Sequence, residues 1–184
     1  WLALDQAVAM AEGKHIEPTW VGRWERERDR IRDWIEEHCW SESRQAYLFY
    51  VGCEDRLDAS LALMHHYGNS VNPERMLKTY DAIRRELGHN SAMLYRYSGV
   101  EQEESTFVAC SFWLVEACAS MGDTKRAEAS MHEILESLCD RGNVEIFNEM
   151  FDVRTASWRG NLPQGLSHLA LVCAAQALTE AKGE

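Results

Sequence analysis

The chain has 184 residues, 19 Lys and Arg against 30 Asp and Glu, a formal net charge of −11 and 46% hydrophobic residues. That length makes one ordinary domain or a piece of a larger one, and buries enough surface to need neither a disulfide nor a metal staple. The acidic balance argues against nucleic acid or an anionic membrane as the main partner, since both require a basic face, and no apolar run approaches the roughly 18 residues of a spanning helix.

In chain order, helical signals dominate. Trp1-Leu2-Ala3-Leu4 reads as the interior of a helix that ends before Gly13, so a native start further upstream is expected. Residues 20–38 set Trp20, Trp24, Ile31, Ile35 and His38 on one side at helical spacing, with Arg and Glu opposite. Residues 58–66 follow Asp58 as a cap, and Asn72-Pro73-Glu74 opens a helix that runs to Gly88. Residues 106–120 are apolar nearly all round, which predicts a helix buried on most sides. Gly122 and Asp123 stop it and start the next, to Cys139; Pro163 starts the last, to about Ala181. Short extended pieces are expected at Tyr47–Val51, Met93–Tyr97 and Val144–Phe147.

The helices alternate in character. Those near 58–66, 106–120 and 163–181 are apolar, and those near 20–38, 73–87 and 124–139 are amphipathic and charged. Inner helices followed by outer helices around an axis give this pattern, so the expected fold class is all-α, a helical toroid or part of one; a solenoid of helix pairs competes. Apolar-to-amphipathic connections are short, whereas 39–57, 88–105 and 140–162 are long. If the helices run alternately up and down, all three long segments emerge on one face, the usual place for a site. They hold Tyr47, Tyr50, Arg96, Tyr97, Glu103, Glu104, Glu149, Asp152, Arg154 and Arg159 among others, a mixture suited to a polar, uncharged ligand such as a sugar.

Other constellations are weak. None of the six cysteines forms a C-x-x-C pair, and Cys110, Cys118 and Cys173 lie in apolar runs, which reads as reduced, buried thiols in a cytoplasmic protein. His65-His66 is adjacent rather than spaced i, i+4, a poor metal pair on a helix, and His132-Glu133 lacks the second His of H-E-x-x-H. There is no phosphate loop or dinucleotide turn; no metal and no cofactor are expected.

Residues 94–118 and 145–175 carry a family resemblance. Gly160-Asn161-Leu162-Pro163-Gln164-Gly165-Leu166-Ser167-His168-Leu169-Ala170 resembles the closing motif Gly-Asn-Phe-Pro-Gln-Ala-Phe-Ser-His-Leu-Ala of glycoside hydrolase family fifteen, the glucoamylases, glucodextranases and microbial trehalases. Phe107-Val108-Ala109-Cys110-Ser111-Phe112-Trp113-Leu114-Val115-Glu116-Ala117 is similar to the family's Phe-Leu-Ala-Cys-Ser-Phe-Trp-Leu-Val-Glu-Ala, and Leu94-Tyr95-Arg96-Tyr97, Leu57-Asp58-Ala59-Ser60-Leu61 and Trp1-Leu2-Ala3-Leu4-Asp5-Gln6-Ala7 also fit, in order, across residues 1–184. The resemblance implies an (α/α)6 toroid, of which the alternation above gives about half, as the C-terminal part of a catalytic domain. It also implies an inverting hydrolase that releases glucose from an α-linked oligo- or polysaccharide or from trehalose. A helical-repeat interaction module without catalysis is the alternative; the enzyme reading requires Glu149, Arg96 and Tyr47 to converge on one pocket.

Inversion needs one carboxyl group to protonate the departing oxygen and another to take a proton from water on the opposite face, roughly 6.5–9.5 Å apart. The resemblance aligns Glu149, in Asn148-Glu149-Met150-Phe151-Asp152, with the family's base, although Asn148 replaces the usual Ser and Met150 a polar residue. It matches Arg96 to an arginine that binds glucose hydroxyls, and sets Glu104 at the site face, to bind sugar or to cap the following helix. Asp58 is expected as a cap, Asn161 and Gln164 as loop-shaping residues, and His168 as a satisfied core histidine. The family's acid lies in a Trp-Glu-x-Arg segment ahead of the helix that starts this chain. Trp24-Glu25-Arg26-Glu27-Arg28 looks similar locally but reads as a solvated helix face. Half a ring is further expected to show exposed large apolar side chains on helices 1–12 and 163–181.

Overall fold

A computed structural model describes residues 1–70, 72–139 and 146–183 of the chain. Helix α1 (Leu2–Glu12) and helix α2 (Val21–His38) are joined through a single 3-10 turn, Pro18–Trp20. A two-residue hairpin follows, β1 (Trp40–Ser41) against β2 (Ala46–Tyr47). A run of 3-10 turns, Ala59–Ser70, leads to α3 (Pro73–Leu87). Strand β3 (Thr106–Phe107) passes directly into α4 (Val108–Ser120), then α5 (Thr124–Cys139). The hairpin β4 (Met150–Asp152) and β5 (Ser157–Arg159) precedes α6 (Gly165–Lys182).

The helix ends follow local chemistry. Asn72 caps α3, its side chain accepting from the N–H groups of Glu74 and Arg75 at 3.0 and 3.2 Å, with Pro73 where no N–H is needed. Gln164 does the same for α6 through Leu166 N–H, so the helix starts at Gly165, two positions later in the chain than Pro163 indicated. The segment after Asp58 is the clearest departure from expectation. It winds as 3-10 turns because Ala59 N–H is donated across to Arg96 O at 2.7 Å, and Leu61 N–H bonds back only three residues, to Asp58 O. Asp58 is nonetheless a cap, its carboxylate accepting from Ser60 N–H at 2.7 Å.

The core is built around α4, in which every residue except Trp113 and Ser120 is buried. On one side α4 meets the 3-10 run and on the other α6, whose Ala170 and Ala174 let the two helices approach closely. Met76, Tyr80, Ile83 and Leu87 of α3, and Ala127, Ile134 and Leu138 of α5, close the core from outside. Each large side chain buried there contributes about 1.5–3 kcal/mol. The apolar segments are therefore inner and α3 and α5 outer, the all-α half-toroid arrangement. Helix α2 departs from this pattern: it buries none of its residues fully, Trp20 and Trp34 stand exposed, and Ile35 alone of its expected face packs against the main core.

The three long connections are stitched together. Leu57 N–H donates to Ser98 Oγ at 2.8 Å, Ser98 N–H to Leu57 O at 3.0 Å, and the Phe49 and Tyr97 rings stack 6.4 Å apart. Glu86 of α3 holds both Arg44 and Ser98. Strand β3 pairs with β4 in the register Thr106 to Phe151 and Phe107 to Met150, and Thr106 Oγ donates to Phe151 O at 2.6 Å. The extended pieces lie elsewhere than expected, only Tyr47 and the Asp58–Tyr97 bridge coinciding; Val144 and Glu145 lie outside the described residues. No disulfide joins the cysteines among the described residues. Cys110 and Cys118 are buried, and burial pushes both thiols up, Cys118 to about 12, which keeps it unreactive at neutral pH. Cys173 is exposed instead of buried, because it lies off the Ala170 and Ala174 face by which α6 packs on α4. No helix among the described residues is long and apolar enough to cross a membrane.

Candidate active site

Glu149 is held by its backbone from both sides. Its N–H donates to Asn161 O at 3.0 Å, and its carbonyl accepts Val108 N–H, the first of α4, at 3.1 Å. The residues before it are anchored to the start of α6: Ser167 Oγ donates to Asn148 O at 2.9 Å and Gln164 N–H to Phe147 O at 3.0 Å. His168 completes the anchor. Its Nδ1 lies 2.8 Å from Gln164 O, which can only accept, so that nitrogen carries the proton and Nε2 accepts Phe147 N–H at 3.2 Å. Both ring nitrogens are satisfied, as expected for a structural histidine.

The half-buried Glu149 side chain turns toward the β5–α6 turn, where Oε2 accepts from Asn161 N–H at 3.4 Å and Asn161 Nδ2 at 3.3 Å. Among the described residues, the hydrogen bonds to this carboxylate fall on Oε2. Gly160 makes the approach feasible. Its φ is +72°, and a Cβ there would stand 2.7 Å from Glu149 Oε2 and 2.8 Å from Glu149 Cβ.

Beside Glu149 opens a cavity of about 430 Å3 whose wall includes Glu103, Glu104, Met150, Asp152, Arg159 and Gly160. The second and third long connections thus meet at one hollow. Glu104 is clasped by Arg96 in a two-pronged ion pair, Nε to Oε2 at 2.7 Å and Nη2 to Oε1. The Arg96 guanidinium also lies 5.5 Å from the ring centres of both Tyr97 and Phe107. Glu104 is no helix cap: α4 begins after Phe107, without a side-chain cap. Asp152 accepts from the N–H groups of Arg154 and Thr155 at 3.0 and 3.4 Å, and Arg159 stands 3.9 Å from its other oxygen. Burial raises the Asp152 pKa, but the hydrogen bonds from Arg154 and Thr155 outweigh it and hold the carboxyl below its ordinary value.

Of the expected site residues only Glu104 is in the wall of this hollow. Glu149 is not part of it, although it adjoins the wall residues Met150 and Gly160, and Arg96 reaches it only as the partner of Glu104, so the expected convergence of Glu149, Arg96 and Tyr47 on one pocket is not met. Tyr47 lies apart. It is 1% exposed, its hydroxyl donates to Glu36 of α2, and it lines a separate hollow with Ile35 and Met64. Trp24 likewise borders another hollow, with Leu4 and Trp20. Asp152 and Arg159 are expected only as members of the third long connection on the site face and Gly160 only within the closing motif, none with an assigned role, although the Asp-x-Arg-Thr spacing at 152–155 is a turn signature.

With this geometry in view, comparison with known proteins is specific. A sequence profile of the glycosyl hydrolases family 15 matches residues 1–176. The trehalase of Mycobacterium tuberculosis is 32% identical across 100% of this chain and 27% of its own length. That of Thermoplasma volcanium is 28% identical across 98% of this chain and 29% of its own. The chain thus spans under a third of these curated relatives. A solved wild-type glycosidase superposes with a TM-score of 0.69 at 18% identity, covering 88% of this chain and 46% of that one. A glycosidase variant solved with glucose gives 0.68 at 17% identity with the same coverage. The inner and outer helices are the fold of those glycosidases, and the chain belongs to the glycosyl hydrolases family 15.

Proposed function

We propose that this chain supplies the general-base half of the active site of an inverting α-glucoside hydrolase of trehalase type. The observation that carries the reading is the placement of Glu149, a half-buried carboxylate fixed by backbone on both sides and adjoining Met150 and Gly160, two residues of the wall of a polar hollow. At about 430 Å3 that hollow falls in the range of small-molecule sites, roughly 300–1,000 Å3. With Asn161 on Oε2, the Oε1 oxygen is the atom that takes a proton from water as the water attacks the anomeric carbon. The Arg96–Glu104 pair presents a rigid donor and acceptor edge to sugar hydroxyls, its geometry held by the Tyr97 and Phe107 rings. The proton donor to the leaving oxygen comes from outside these residues, and the names of the curated relatives point to trehalose as the substrate.

Two measurements test this. In the full-length protein, Glu149→Gln lowers the rate of glucose release from trehalose by about 10²–10⁴-fold, the span of a lost general base, while the circular dichroism spectrum is retained. Proton NMR of the first turnovers on trehalose shows α- and β-glucose in equal amounts, because a single displacement inverts the attacked glucose to β while the departing glucose keeps its α configuration. Near-normal turnover in the variant, or α-glucose alone among the first products, overturns the reading. The isolated 184-residue chain is expected to show no turnover; ordinary turnover there would transfer the acid role to Glu25 or Glu104.

A further inference from the structure

Away from the Glu149 hollow, a second polar cluster forms where the 3-10 run, α4 and α6 meet. His65 and His66 come from the 3-10 run and Glu116 from α4, and their ligand atoms all lie within 4.8 Å of one another. Adjacent side chains diverge by about 100° on an α-helix and about 120° on a 3-10 turn, so spacing alone does not pair these histidines. Their rings nonetheless sit 4.0 Å apart, tilted by 38°.

The His65 side chain is only 4% exposed. Its Nδ1 lies 2.8 Å from Ala62 O, an oxygen that can only accept, so Nδ1 carries the proton and Nε2 presents a lone pair. That Nε2 is buried and has no hydrogen-bond partner among the described residues. It faces Glu116 Oε1 at 3.3 Å without hydrogen-bond alignment, and His66 Nε2 faces the same oxygen at 3.7 Å. A buried carboxylate and a buried imidazole lone pair, each an acceptor, lie close together with no hydrogen bond between them. Such an arrangement is costly unless a cation sits between them.

We infer that His65 Nε2, His66 Nε2 and Glu116 Oε1 form a binding site for a zinc-class divalent ion. A tetrahedral ion about 2.0–2.1 Å from each donor sets donor atoms about 3.4 Å apart, close to the 3.3 and 3.7 Å found here. Two imidazoles and a carboxylate suit zinc rather than magnesium or calcium, which require an oxygen shell. The Ala62 carbonyl on His65 Nδ1 is the outer partner that zinc-bound histidines commonly have. The remaining coordination position opens into a hollow of about 200 Å3 walled by Ser120, Gln176 and Glu180, with room for water. Cys173 lines that hollow but is outside the ligand cluster. An ion here ties the 3-10 run to α4.

The inference is independent of the hydrolase reading, and its test needs no substrate. The chelator-treated chain is titrated with zinc chloride by calorimetry and melted with and without zinc. The wild-type chain is expected to take up one zinc and to melt at a higher temperature with it. His65→Ala and His66→Ala each weaken binding by more than the roughly 10–100-fold that loss of an outer partner costs, and Cys173→Ser retains it. His66 is partly exposed, so its variant decides the matter even if His65→Ala misfolds. No stoichiometric uptake, uptake retained in His66→Ala, or uptake lost in Cys173→Ser overturns the site.

Discussion

At the scale of single residues, the position of Glu149 depends on a glycine. Any side chain at Gly160 meets both a positive φ of +72° and the Glu149 carboxylate at 2.7 Å. Gly160→Ala is therefore expected to cost about 1–3 kcal/mol of stability, read as a lower urea midpoint, and to push Glu149 from its Asn161 partner. If Glu149 is the base, the same variant lowers kcat in the full-length protein far more than it raises KM. Equal stability of variant and wild type would show that the turn relaxes freely. The sequence motif makes Gly160 and Asn161 visible but not their use, because a glycine ahead of a helix normally signals a turn and nothing more. Arg96 and Glu104 were likewise visible one at a time. Their pairing was not, since residues eight apart in a loop have no fixed spacing until the surrounding chain folds. Tyr47 is the opposite case: a polar residue in the right connection, drawn away by Glu36 and Thr79 into the core beneath α3.

At the scale of elements, periodicity and caps were legible and short strands were not. Asn72-Pro73, Gly122 and the apolar run at 106–120 mark α3, α4 and α5 to within a residue or two, because each acts through bonds inside its own helix. Strands of two or three residues are shorter than any alternation that could announce them, and they form because β3 and β4 meet across the site. The segment after Asp58 reads in the sequence as an ordinary helix, and its 3-10 winding is not legible there because its start is bonded to Arg96 O, far along the chain. Ser167 shows how one element positions another. It is fully buried on α6 and gives its hydroxyl proton to Asn148 O, next to Glu149. Ser167→Ala leaves that carbonyl buried without its donor, a loss of about 1–3 kcal/mol expected in urea unfolding. Ser167→Thr, which keeps the hydroxyl, recovers part of it. An alanine variant as stable as wild type would mean that Asn148 O finds another donor.

At the scale of the whole molecule, α6 is apolar on two faces. Ser167, Ala170, Ala174 and Leu178 pack toward α4, while Leu166, Leu169 and Val172 follow one another at helical spacing on the far side and stand exposed, as does Leu162 in the turn before the helix. Leu169 is 64% and Val172 61% exposed. A helix apolar all round is ordinarily buried all round, and this is the open edge expected of a partial ring; α1 shows the feature only at Met10. The isolated chain is therefore expected to associate as its concentration rises, by sedimentation velocity. Its charge works against this: −11 on each copy is repulsive over about 10 Å at 0.1 M salt, so added salt strengthens the association. Replacing Leu169 and Val172 together by Lys separates the two effects. The change brings the charge from −11 to −9, which by itself weakens repulsion, yet removes the apolar contact. A shift toward monomer in Leu169→Lys, Val172→Lys, with unfolding free energy within about 0.5 kcal/mol of wild type per site, assigns association to this face. Unchanged association in the double variant would assign it to another surface, such as exposed Trp20 and Trp34 beside α2.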